Sequence, residues 1–239
     1  MYYIYIHRTL KKRIEEQHKK ALSLFREFIL GGQDGLVNVL GIILGLGIAT
    51  NDAKIVLIGG LAATFAESVS MGAVAYTSTK AEIDYYNSEE KREKDEIEKM
   101  PDLEKKEIYD IYYKKGFRRK LLDQITKHII SNKKRWLDIM MKEELELSKD
   151  FISPLKASLI VFLSALIGSF VPLISFFFFP MNIAIIISLI VSAIALFITG
   201  AIEGHMTVGK WFKKGLQLML IGMLAAFVGF IIGKLTGYS

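Results

Sequence analysis

The sequence has 239 residues, with no cysteine, four prolines and four histidines. Without cysteine there is no disulfide framework and no thiolate metal site, and nothing marks the redox compartment. His7, His18, His128 and His205 stand singly, whereas a di-iron oxidase or desaturase needs clustered histidines, so no enzyme is expected. Charge is missing over long stretches as well: residues 157–179 and 183–202 contain no Asp, Glu, Lys or Arg. A buried helix of a soluble protein is normally shorter and keeps one polar face, so these runs exclude an ordinary water-soluble domain. The first twenty residues place basic side chains after a short apolar start, the reverse of a signal peptide, and no cleavable leader is expected.

What is present is sorted along the chain. The sequence is 51% hydrophobic and 23% charged, figures that fit together only if the two kinds of residue are segregated. Residues 80–150 hold 36 of the 56 formal charges, 18 of each sign. Outside that block, five stretches supply the roughly 20 apolar residues that a helix needs to cross a bilayer: about 30–50, 55–79, 156–179, 182–203 and 215–236. The placement of Lys and Arg orients them, because basic residues favour the cytoplasmic side. With five spans, 29 of the 31 basic residues share a side with the N-terminus and the charged block, and only Lys54 and Lys234 fall opposite. The net charge of +6 is thus accounted for by membrane flanks, with no nucleic acid implied.

The expected fold is all-α: a polytopic membrane protein of five transmembrane helices with a cytoplasmic three-helix insert. Its divisions are a cytoplasmic amphipathic helix over 1–29, spans one and two in 30–79, the insert in 80–153, and spans three to five in 154–239. The segment from Thr9 to Phe28 has apolar residues at near-helical spacing, fitting either a helix on the membrane surface or a solvated helix packed on the insert.

Asp34 and Glu67 lie within apolar spans. A carboxylate near the bilayer centre costs at least ~2.5 kcal/mol, so such groups face a pathway or a partner. Met71 follows Glu67 by four residues, on the same helical face; oxygen and thioether together suit a borderline divalent metal, although packing alone also accounts for Met71. Asp34 sits in Gly31-Gly32-Gln33-Asp34-Gly35, where it is either a ligand beside exposed carbonyls or an interfacial helix cap. Gly41 and Gly45 form a GxxxG packing face. Glu203 and His205 fall at a membrane boundary and need no special role.

The insert divides by charge. Residues 82–110 carry 12 acidic and 6 basic side chains, 111–135 carry 9 basic and one acidic, and 138–150 carry 5 acidic and 2 basic. Such a succession suggests two acidic helices that meet, with a basic one facing head groups or the other two. Glu93, Glu96, Glu104 and Glu107 would share one stripe on a continuous helix, although Pro101 interrupts it and fits the first turn of a restarted helix. Near the end of the insert, Met140, Glu143, Glu144 and Glu146 add carboxylates beside thioethers. The stripe is read either as a solvated charged helix or as a transition-metal site.

Several motifs resemble the vacuolar iron transporter family, which includes the yeast calcium cross-complementer-type iron and manganese transporters. They are Gly32-Gln33-Asp34-Gly35-Leu36-Val37, Ser70-Met71-Gly72 with Tyr76, Met140-Met141-Lys142-Glu143-Glu144-Leu145, Pro154-Leu155-Lys156-Ala157, Val171-Pro172-Leu173, and residues 215–233. The resemblance implies a homodimer with a cytoplasmic metal-binding insert, exchanging Fe²⁺, and often Mn²⁺, for protons. Metal would be the transported substrate, with no prosthetic group. It also implies a pathway at Asp34, Glu67 and Met71, and metal ligands among Glu93, Glu96, Glu104, Glu107, Met140, Glu143, Glu144 and Glu146. A cell membrane in a prokaryote or a vacuolar membrane in a eukaryote is expected. The alternative is a membrane-anchored metal sensor or buffer that transports nothing.

Overall fold

The computed structural model describes residues 2–207 and 209–237, with side chains from Leu22 onward. Among these residues all regular structure is helical. The helices are α1 (Tyr2–Thr50), α2 (Ala53–Lys99), α3 (Pro101–Lys114), α4 (Arg119–Ile130), α5 (Lys133–Ile139), α6 (Pro154–Leu173), α7 (Ser175–Phe178), α8 (Met181–Thr207) and α9 (Trp211–Thr236). A π turn, Met140–Glu144, extends α5. Five helices are long and apolar enough to cross a membrane, within Leu22–Thr50, Ala53–Lys99, Pro154–Leu173, Met181–Thr207 and Trp211–Thr236. The amphipathic face expected over Thr9–Phe28 falls mostly on side chains outside the described residues.

Contacts divide the chain into two compact units, Ser78–Phe151 and the remainder. Two span ends differ from the expectation. α2 does not stop near residue 79 but runs on to Lys99, since nothing in 80–99 breaks a helix and the change from apolar to charged composition leaves backbone hydrogen bonding untouched. The third span ends at Leu173, short of residue 179. Pro172 lies inside its last turn, where it removes a backbone donor. The chain resumes as one short helix before Phe179, which precedes Pro180 and is extended at φ −124°, ψ 150°.

In the larger unit α1 packs against α6, α8 and α9, and α8 packs against α9. Backbone approaches backbone at three places, one of them where a Cβ on Gly200 of α8 would overlap the Lys214 carbonyl of α9. A Cβ on Gly168 of α6 would overlap the carbonyl of Gly32, and Cβ atoms on Gly229 and Gly233 of α9 would overlap the carbonyls of Gly41 and Gly45. In hydrocarbon, where lipid tails are as apolar as leucine, van der Waals contact of this closeness replaces the hydrophobic effect as the cohesive term. The α1–α2 corner is built from local capping. Asn51 adopts φ 47°, and the Asp52 carboxylate accepts the Lys54 backbone N–H at 2.8 Å to cap α2. A core of Val39, Ile43, Val56, Leu173, Phe176 and Ala184 lies near this corner.

The smaller unit is built around Ile97, Ile108, Ile129, Trp136 and Met140. Pro101 opens α3 in its first turn, Gly116 supplies φ 97° between α3 and α4, and the Asn132 side chain caps α5 by accepting from the Arg135 N–H at 3.0 Å. Lys149 bonds Glu90 at 2.5 Å, and Phe151 meets the Tyr86 ring edge-on at 5.4 Å, which ties the segment after the π turn back to α2.

The two sides of the α1–α9 contact are unequal. A Cβ on Gly41 would meet only the Ala225 carbonyl, at 3.5 Å, whereas one on Gly229 would strike the Gly41 backbone. Gly41→Ala should therefore be neutral or slightly stabilising, by up to about 1 kcal/mol from helix propensity. Gly229→Ala should cost about 1–3 kcal/mol through overpacking. Unfolding of the two variants in detergent would decide; equal midpoints would contradict this packing.

Candidate functional site

Within the spans, α1 and α2 run antiparallel from the corner at Asn51, so residues about 20 Å along each helix face one another. This brings Asn38 to Glu67: the Asn38 amide Nδ2 donates to Glu67 Oε1 at 2.5 Å. Asp34, one turn before Asn38, interacts with the Glu67 carboxyl. Met71 is half-buried one turn beyond Glu67. The result is a pair of carboxyls and an amide in an otherwise apolar setting, with Met71 on the Glu67 face. Asn38 escaped the sequence reading. The signal that would have found it is an amide within the run Leu36-Val37-Asn38-Val39-Leu40, one turn from Asp34.

In the smaller unit the glutamates converge by a different route from the single stripe expected. The helix breaks at Met100 (φ −133°, ψ 53°), because a residue preceding proline is driven out of the α region. Glu93 and Glu96 thus belong to α2, and Glu104 and Glu107 to α3. Glu93 and Glu104 are 1% and 3% exposed, and one carboxylate oxygen of each is buried without a hydrogen-bond partner. An unpaired buried polar oxygen costs about 1–3 kcal/mol, more if charged. Burial is the main force raising both carboxyls to about 7. Like charges add to it: Glu144 and Glu96 press on Glu93, and Glu107, Glu93 and Glu144 on Glu104. Glu144 is raised too, first by burial, then by Glu107 and Glu96, and it shares a hydrogen bond with Glu107.

The π turn settles which of the last glutamates joins this group. Its wider winding, with the Leu145 N–H bonded to the Met140 carbonyl at 3.2 Å, turns Glu144 to the other four while Met140 is fully buried. π turns often mark functional positions. Glu143 points elsewhere and pairs with Lys115, and Glu146 is exposed in the left-handed region at φ 54°. The structure therefore brings together Glu93, Glu96, Glu104, Glu107 and Glu144, and leaves Glu143 and Glu146 outside. Among the described residues no three His, Asp or Glu side chains yet converge at metal-ligand range; the five carboxylates share a neighbourhood. Arg92, which the sequence reading passed over, lies beside them.

Comparison with known proteins follows the same lines. Residues 25–234 match the model of the VIT family. Vacuolar iron transporter 1 of Eucalyptus grandis is 34% identical over 230 residues, covering 94% of this chain and 92% of that protein. Vacuolar iron transporter 1 of Arabidopsis thaliana is 31% identical, covering 95% and 92%. The vacuolar iron transporter of Plasmodium falciparum is 31% identical, covering 91% and 84%. With the family model spanning nearly the whole chain and relatives aligned almost end to end, the chain belongs to the VIT family.

Proposed function

We propose that this integral membrane protein carries divalent transition metal, Fe²⁺ and also Mn²⁺, out of the cytosol in exchange for protons. The observation that carries this reading is the pair Glu93 and Glu104, carboxylates removed from water with one oxygen each unpartnered. A cation is the partner such groups lack. The names of the relatives point to iron. The distribution of Lys and Arg supports a cytoplasmic insert, and a vacuolar membrane accords with the same names.

In this scheme Glu93, Glu96, Glu104, Glu107 and Glu144, with the Met140 thioether, collect metal from the cytosol. Oxygen and soft sulfur donors together favour a transition metal over Ca²⁺. Asp34, Glu67 and Met71 then carry it through the membrane. Metal and proton compete for the same carboxylate oxygens, so protons arriving from an acidic far side release the cargo as metal leaves. Asn38 holds one Glu67 oxygen and orients the other.

Asn38 is also exposed on the bundle surface, with Glu67 only partly covered. An open polar pair facing hydrocarbon is costly, and a second copy of the chain placed against α1 and α2 would cover it. This supports a homodimer whose interface contains the pathway.

Glu67→Gln should reduce proton-coupled Fe²⁺ uptake into proteoliposomes at least about tenfold, the effect expected when a charged pathway group is neutralised, while leaving metal binding by the insert intact. Binding without flux in the unsubstituted protein would instead establish a sensor or buffer. Glu104→Gln should weaken metal binding at least about tenfold, read by calorimetry.

The raised carboxyls give a pH dependence of definite sign. In the metal-free protein Glu93 and Glu104 hold protons that the unfolded chain has already released above its ordinary value of 4.5. Their contribution to stability is therefore full below 4.5 and is lost as pH climbs through about 7. Metal should restore it, so Mn²⁺ should raise the thermal midpoint of the full-length protein more at pH 8 than at pH 6. Affinity should grow by roughly tenfold per pH unit for each proton displaced. A pH-independent affinity across this range would contradict the competition.

A further inference from the structure

Arg92 stands in the carboxylate group without belonging to it. Its guanidinium lies 2.8 Å from Glu89, 3.8 Å from Glu93 and 3.7 Å from Glu96. Among the described residues it is the cation whose ion pairs reach this cluster, and its field extends to Glu144. The three contacts are not equal. The one to Glu89 is a close ion pair between residues one turn apart; the other two are nearly 1 Å longer, beyond hydrogen-bond range, and are held by charge alone. The Arg92 side chain is 51% exposed, that of Glu93 2% and that of Glu89 13%. Arg92 can therefore withdraw toward water, while Glu93 cannot follow it.

We propose that Arg92 is a displaceable counter-ion of the cluster, unseated from Glu93 and Glu96 by an incoming divalent cation and retained meanwhile by Glu89. The proposal rests on the reading that the cluster binds metal. Arginine suits the role because it stays charged at any physiological pH and can stay paired with Glu89 through one edge of its fork while other edges remain free. It leaves the buried Glu93 oxygen unpartnered, so the cluster keeps its appetite for a cation that fits better. Like charges a few ångströms apart repel more strongly at a protein surface than in bulk water, and a metal must overcome some of that repulsion to enter. The effect is to weaken capture and hasten departure. A site that hands cargo onward is served by such a competitor; a storage site is not.

The test uses the full-length protein in detergent, with Mn²⁺ and Co²⁺ binding measured by calorimetry at pH 8. Arg92→Gln should tighten binding at least about fivefold, and Arg92→Lys, which keeps the charge, should stay within about twofold of the original. Glu89→Gln works in the opposite direction. It frees Arg92 to settle on Glu93 and Glu96 and should weaken binding, and the double variant should match Arg92→Gln alone. A merely structural role predicts neither tightening nor this dependence. Unchanged or weaker binding by Arg92→Gln, with its helicity intact by circular dichroism, overturns the proposal; if that variant fails to fold, Glu89→Gln decides, and unchanged or tighter binding by it overturns the proposal. Glu104→Gln separates the two levels. If it retains full binding, the cluster is not the metal site and the counter-ion falls with it. If it loses binding while Arg92→Gln gains nothing, the counter-ion alone is refuted.

Discussion

Helix α1 approaches its neighbours backbone to backbone, and the membrane unit depends on that closeness. Gly32 meets Gly168 of α6, and Gly41 and Gly45 meet Gly229 and Gly233 of α9. In lipid no water is expelled when helices meet, so cohesion comes from the number of atoms in contact. Glycine maximises that number by removing the side chain that would hold two backbones apart. With two faces occupied in this way, the face left for α2 carries Asp34 and Asn38, the polar residues that meet Glu67. The fold thus places the smallest residue at the packing faces and leaves the polar residues on a separate stripe of the same helix.

The smaller unit answers to the opposite constraint. Its charges are plentiful, and what is scarce is water around two of them. Glu93 and Glu104 are enclosed with an oxygen each unsatisfied, a state marked by raised carboxyls, by the press of like-charged neighbours and by a nearby counter-ion. All three occur here: the carboxyls titrate near 7, Glu144 and Glu96 press on Glu93, and Arg92 stands by. The strain is modest in each group and concentrated in one place.

How far the sequence could be read depended on whether a feature is local. The spans were legible because hydropathy is a sum over consecutive residues, and Asp34 and Glu67 because a carboxylate in an apolar run stands out singly. Pro101 announced the helix break, yet what the break achieves was hidden, since the meeting of Glu93 with Glu104 across two helices is tertiary. The choice among Glu143, Glu144 and Glu146 could not be made from composition. A π turn and an α turn accept the same residues, and the difference in winding decides which side chain lies beside Glu107 and Glu96. Asn38 and Arg92 were overlooked for a related reason: an amide in a helix and an arginine among glutamates are ordinary until their neighbours are known.

The glycine contacts also have a consequence for motion. Two helices locked carbonyl against backbone cannot turn about their own axes unless one is lifted out of the other's notch. α1, α6, α8 and α9 therefore form a frame whose members shift together or not at all. α2 is seated in two ways: at Gly59 and Gly60 the atoms facing it are the flexible ends of Leu46, Ile43 and Leu173 side chains, which change rotamer readily, while at Gly72 it meets the Ser158 carbonyl of α6. Sliding and tilting belong to interfaces of the former kind. The end of α2 nearest the Asn51 corner thus rests on side chains that adjust, whereas Gly72, just beyond Glu67 and Met71, rests on the backbone of α6.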